Sequence, residues 1–285
     1  MQKQLPDTAA DIAATVLPEG SIALWWLGQA GFALRGAKTT LLIDPFLSDN
    51  PNRLIAAPLR PEACPAIDFV LCTHEHLDHF DIPTLQTLAR RSSATRFVVP
   101  RPIVDQVTTA GITADRVLGV QPDEEVQLGN ARLFPVPALH GLNFPPTAYN
   151  FGFDESGGLY RYLGYVIDID GIRVYHAGDT LVYDGMVERL RKLAIDIALL
   201  PINGRSYFRE QQQLVGNIDE REAADLAAAA GVKLLVPTHY DMFAANLGRP
   251  GALVDYVRSQ HPELSCYVPT HGRRFTFMHG DARFV

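Results

Sequence analysis

Cysteine is scarce in this chain of 285 residues. There are three, Cys64, Cys72 and Cys266, and no C-x-x-C pair. An odd count without paired spacing excludes a disulfide framework and a thiolate zinc site, leaving small apolar residues in or near the core. Positive charge is also in deficit: 25 Lys and Arg stand against 32 Asp and Glu, a net charge of −7. Nucleic-acid binders draw affinity from neutralising phosphates, so no nucleic-acid partner is expected. No apolar stretch reaches the length of a membrane span, and the N-terminal segment lacks a basic stretch followed by an apolar one. The expectation is a cytoplasmic protein that neither crosses nor binds a membrane. No repeat of solenoid length is present.

What the chain does have is an ordinary globular composition, 47% hydrophobic and 20% charged, and enough length to bury a core without cross-links. Residues 1–20 read as an arm or short helix ending at Pro18 and Gly20, and residues 21–285 as one domain. "SIALWWLGQAGFALRG" predicts strand, turn, strand; "TTLLIDPF" a strand stopped by Asp44-Pro45; "AIDFVLCTH" a strand covered on both faces. "DIPTLQTLARR" has helical spacing with Asp81 as its N-cap. "LGYVIDIDGIRVYHAGDT" predicts a hairpin turning at Asp170-Gly171. Helices are expected over about 181–193, 219–230 and 250–260, the first two leading into the strands "IDIALLPIN" and "VKLLVPTH". The aperiodic stretch 140–162 predicts a functional loop, a lid over a site. β-rich and then βα order in each half predicts an α/β fold of two mixed sheets packed face to face with helices outside.

Four apolar strands end abruptly in polar, ligand-type residues: "DFVLCTHEHLDH", "FPVPALHG", "VYHAGDT" and "LLVPTHYD". Sites in α/β proteins form in the crevice beyond strand ends. In an extended segment residues two apart share a side, so His74 and His76 can grip one ion. Asp78 and His79 lie where the chain turns and can face a second. Two ions need six or seven ligands, and His140, Asp179 and His239 complete that number. Imidazole and carboxylate donors suit Zn²⁺, Mn²⁺ or Fe²⁺. His176, three residues before Asp179, reads as a support for a ligand. His261, His271 and His279 read as surface or satisfied core residues.

"THEHLDH", followed by single His, Asp and His positions, resembles the metallo-β-lactamase superfamily along nearly the whole chain. The resemblance implies an αββα sandwich with two divalent ions, Zn²⁺ or Mn²⁺, at one edge. It implies His74, His76 and His140 on one ion, Asp78, His79 and His239 on the other, and Asp179 between them, with Asp44 supporting the ligands. "WLGQAGF", "HAGDT", "PINGR", "GN" and "PTHYDMF" are similar to the L-ascorbate-6-phosphate lactonase branch. That similarity implies a hydrolase, with a homo-oligomer, that opens a lactone or ester of a small phosphorylated sugar acid using metal-activated water, oriented by Asp78. A small-molecule substrate of this kind needs an anion anchor and ring contacts: Arg205 for the phosphate, Asn217 and Tyr240 for the ring. The alternative activity is a phosphodiesterase, since the segments are also similar to N-acyl-phosphatidylethanolamine phospholipase D and tRNA-processing nucleases. A binding protein without catalysis is disfavoured by the complete set of ligand positions.

Overall fold

The computed structural model describes residues 7–144, 146, 148–153 and 158–279. In chain order the strands are β1 (Ser21–Gly28), β2 (Gly31–Arg35), β3 (Thr40–Ile43), β4 (Phe69–Leu71), β5 (Arg96–Pro100), β6 (Val117–Val120), β7 (Val126–Leu128), β8 (Ala131–Pro137), β9 (Gly141–Leu142), β10 (Tyr149–Asn150), β11 (Leu163–Ile169), β12 (Ile172–His176), β13 (Ile197–Pro201), β14 (Leu234–Thr238), β15 (Ser265–Cys266) and β16 (Arg274–Met278). The helices are α1 (Thr8–Ala14), α2 (Ile82–Arg91), α3 (Val104–Thr109), α4 (Met186–Leu193), α5 (Tyr207–Gln211), α6 (Glu220–Ala230) and α7 (Pro250–Gln260).

Two sheets run in the orders β16-β1-β2-β3-β4-β5-β6 and β15-β14-β13-β12-β11-β8-β7. Each is antiparallel on one side and parallel on the other. The first changes at β3, whose neighbour β4 is parallel, and the second at β12, whose neighbour β13 is parallel. Side chains alternate across each strand. Ile22, Leu24 and Trp26 of β1 therefore enter the layer between the sheets, with Tyr165, Val174 and Val236 from the second sheet. Ala23, Trp25 and Leu27 face the other way, toward Leu85 of α2 and Val107 of α3. On the far side, Val166, Tyr175 and Leu235 pack against Met186 of α4, Leu226 of α6 and Leu253 of α7. The layers are helix, sheet, sheet, helix, the expected αββα sandwich.

Local expectations meet local corrections. The Asp170-Gly171 turn forms with both residues at positive φ, 50° and 81°, the geometry a two-residue hairpin needs. Helix α4 begins at Met186 rather than near 181, because Leu181 instead donates its N–H to the Leu139 carbonyl at 3.0 Å. Asp81 occupies the N-cap position of α2 without capping it. Its carboxylate accepts from the backbone N–H groups of Leu47 and Ser48 and from the Thr84 hydroxyl, so it ties the loop after β3 to the helix. In the stretch 140–162, β9 and β10 pair as a short ribbon; residues 145, 147 and 154–157 lie outside the described residues. The three cysteines are free, two buried and one partly so.

Candidate metal centre

The centre begins with a carboxylate below it. Asp44 follows β3 with φ at 45° and is fully buried. Its Oδ1 accepts the Thr73 N–H at 2.8 Å and its Oδ2 accepts the Thr73 hydroxyl at 2.7 Å. These bonds fix the chain as it leaves β4, the point from which His74, His76, Asp78 and His79 project. Asp44 Oδ2 also accepts the Nδ1–H of His79 at 2.7 Å. That bond sets the tautomer and leaves His79 Nε2 facing the cluster, as a carboxylate behind a metal-binding imidazole does.

The remaining donors arrive from the ends of other strands. His140 follows β8, Asp179 follows β12, and His239 follows β14 with φ at 56°. The donor atoms of His74, His76 and His140 lie within 4.8 Å of one another, as do those of Asp78, His79 and His239. A third set, His74, His79 and Asp179, links the first two. Asp179 lies between them: its Oδ1 is 3.2 Å from His79 Nε2, and its Oδ2 is 3.2 Å from His239 Nε2 and 3.5 Å from His140 Nε2. His79 Nε2, His140 Nδ1 and Asp179 Oδ1 are buried and make no hydrogen bond. Buried polar atoms are rarely left without a partner. Five imidazoles and two carboxylates with unpartnered atoms among them are a donor set that fits divalent cations.

Electrostatics divides the metal-free cluster in two. Burial opposes charge on His79 and His239, but Asp179 and Asp78 outweigh it; His79 is raised well above the usual histidine range and His239 to about 9. Burial likewise opposes ionisation of Asp78 and Asp179, yet His79 and His239 hold both below the usual carboxylate range. Burial keeps His74 neutral, aided by the neighbouring histidines, and pushes His140 down to about 3. His176 is buried, donates Nε2–H to the Ala30 carbonyl at 2.7 Å and accepts the Gly178 N–H at 3.1 Å. It thus joins the end of β12 to the β1–β2 turn.

That turn contributes a residue to which the sequence reading assigned no role. Gln29, fully buried with φ at 52°, donates from Nε2 to Asp78 Oδ2 at 2.6 Å and lies 3.1 Å from His239 Nε2. Its carbonyl accepts the His239 N–H, and its own N–H is held by Asp241. The available signal was a polar amide between two glycines in an otherwise apolar stretch.

The three expected substrate contacts lie elsewhere. Arg205 directs its fork at Glu222, at 2.8 and 3.1 Å, where the acid closes the capping box of α6. Asn217 is fully buried and donates to Asn203 Oδ1. Tyr240 packs its ring 4.9 Å from that of Trp26. None of them lines the cavity of about 310 Å³ over the cluster, which is walled by His76, Asp78, His140, Asp179 and His239 together with the 213–215 and 243–246 segments. A larger cavity of about 580 Å³ beside α4 has no histidine in its lining and lies apart from this chemistry.

Residues 39–240 match the family model described as "Beta-lactamase superfamily domain". A "UPF0173 metal-dependent hydrolase" from Thermococcus onnurineus is 34% identical over 220 residues, 76% of this chain and 83% of the relative. Another of the same name from Archaeoglobus fulgidus is 31% identical over 253 residues, 88% of this chain and 97% of the relative. Among solved structures, a metallo hydrolase from Ignicoccus hospitalis superposes with a TM-score of 0.70 at 24% identity, covering 90% of this chain and 98% of that one. This last likeness is one of fold.

Proposed function

From the premise that this chain belongs to the β-lactamase superfamily domain family and to the UPF0173 metal-dependent hydrolases within it, we propose that it is a binuclear hydrolase of carboxylic esters, lactones foremost. His74, His76 and His140 would hold one divalent ion, zinc or manganese, and Asp78, His79 and His239 a second, with Asp179 available to either. The observation that carries this reading is the set of buried, unpartnered atoms on His79, His140 and Asp179, gathered beside donors from four further residues, His74, His76, Asp78 and His239. When bound, such ions polarise a carbonyl and lower the pKa of water.

The protein's own groups do the rest. Asp44 holds His79, and His176 holds the strand end behind Asp179. Asp78 lines the cavity, and its side chain is more exposed than those of Asp179 and His239. It is ionised at neutral pH and can take the proton of the attacking water, then pass it to the departing alkoxide oxygen. Water adds to the acyl carbon, the acyl–oxygen bond breaks, and a carboxylic acid and an alcohol result; in a lactone both stay on one molecule.

The test is turnover of two panels, lactones with simple esters and phosphodiesters, by zinc- or manganese-loaded protein with Asp78→Ala as the blank. Ester or lactone turnover that falls at least about 100-fold in the variant is expected, the scale of a positioned acid–base group. Phosphodiester turnover alone, or equal rates in the variant, would contradict the proposal.

A further inference from the structure

The wall opposite the cluster carries no charge. Among the described residues it is formed by Gln213, Leu214 and Val215 after α5, and by Phe243, Ala245 and Asn246 after β14. The charged groups of this cavity all belong to the cluster itself. Three arginines, Arg205, Arg209 and Arg161, are paired or hydrogen-bonded within the protein, Arg209 to Asn246 of the wall itself. Arg205 is paired with Glu222; Arg209 donates to Asn246 Oδ1 at 2.8 Å and to the Asn203 carbonyl at 3.0 Å; Arg161 is paired with Glu75.

Single exposed apolar residues lie near these positions in the chain. Leu77 lies between His76 and Asp78, Leu247 next to Asn246, and Phe208 on α5, and all three are exposed. Tyr149 of β10 donates its hydroxyl to Glu210 at 2.8 Å and accepts the Gly216 N–H at 3.1 Å, so the β9–β10 pair is tied to the segment that forms the wall. No lining residue of this wall offers a phosphate a charged partner. An alkyl or aryl group there gains about fourfold in affinity per buried methylene. The cavity, at about 310 Å³, is at the small end of small-molecule sites.

We infer that the substrate is a small uncharged ester or lactone bearing an alkyl or aryl group, recognised by the Leu214, Val215 and Phe243 wall, and is not a phosphorylated sugar acid. This inference rests on the ester-hydrolase reading above.

Three hydrolysis-resistant lactams test it on the metal-loaded protein by calorimetry: the bare ring, the ring with a four-carbon alkyl chain, and the ring with a phosphorylated polyol chain. The alkyl chain is expected to tighten binding at least tenfold over the bare ring. The phosphorylated lactam is expected to bind no more tightly than inorganic phosphate alone. Val215→Ser with Phe243→Ser should reduce the alkyl gain to under threefold at an unchanged melting temperature. A phosphorylated lactam that binds more tightly than both inorganic phosphate and the alkyl lactam would overturn the inference, and so would the absence of any gain from the alkyl chain. Turnover of the matching lactones separates the two readings. An alkyl preference in binding without turnover of any ester or lactone sinks the hydrolase chemistry proposed above and leaves the chemistry of the wall standing.

Discussion

Gln29 touches a carboxylate and an imidazole assigned to the same ion, and its backbone is held on both sides, by Asp241 and by the His239 N–H. Its amide therefore fixes where Asp78 and His239 point. Gln29→Ala is expected to weaken the second ion 10- to 100-fold in chelator competition, the usual scale for groups behind a ligand. It should also lower kcat more than it changes KM. Unchanged metal affinity and unchanged kcat would remove the residue from the account. The protons of the cluster give a second prediction at this scale. In metal-free protein His239, raised to about 9, and His79, also raised, carry protons at neutral pH through their pairing with Asp179 and Asp78. A metal needs both imidazoles neutral. Metal uptake near pH 7.5 should thus release between about one and two protons, seen as a buffer-dependent heat in calorimetry. Affinity should rise with pH across the window from the ordinary histidine value of about 6.5 to about 9. Over the same window the metal-free protein should lose stability. A raised histidine pKa stabilises fully below the unfolded value and ceases to do so as pH passes the folded one. Uptake with no proton release would contradict the pairing.

Three short backbone features at the ends of strands make the site. Gln29, Asp44 and His239 all adopt positive φ where β1, β3 and β14 give way to the centre. Non-glycine residues in that region are uncommon and gather at functional sites. Asp44 is the most exacting of the three, because one carboxylate satisfies Thr73 twice and His79 once in a fully buried position. Asp44→Ala is expected to destabilise the protein by about 3 kcal/mol, the scale for leaving a buried network short of one partner. It should also weaken metal binding. Asp219→Ala, which removes the capping box of α6 away from the centre, should lower stability by only about 1 kcal/mol and leave metal affinity unchanged. Denaturant melts with and without chelator distinguish the two; equal behaviour would deny Asp44 its link to the centre. The sequence makes this organisation visible only in part. His74, His76, Asp78 and His79 can be read together because they are contiguous on an extended segment. His140, Asp179 and His239 can be read because each ends an apolar strand. Asp81 misleads, since its position before α2 is that of a cap while its carboxylate serves Leu47 and Ser48, 34 and 33 residues earlier. The partner of Arg205 is hidden for a like reason: the acid that takes its fork belongs to the first turn of a helix still ahead in the chain.

At the scale of the molecule, the β-rich and then βα order of each half is enough to predict two sheets with helices outside. The switch from antiparallel to parallel at β3 and β12 brings the ends of β3, β4, β12 and β14 to the edge where the centre lies. What sequence does not convey is the lining of the cavity. It joins the 213–215 segment to the 243–246 segment, neither of which has a periodic pattern, and only their meeting over the cluster shows an uncharged wall. The measurement that tests the central claim most directly is metal content per chain after reconstitution and desalting, by inductively coupled plasma mass spectrometry on the native protein and on His239→Ala. The account predicts two ions in the native protein and about one in the variant, with the His74, His76 and His140 site retained. One ion or none in the native protein, or two in His239→Ala, would contradict it.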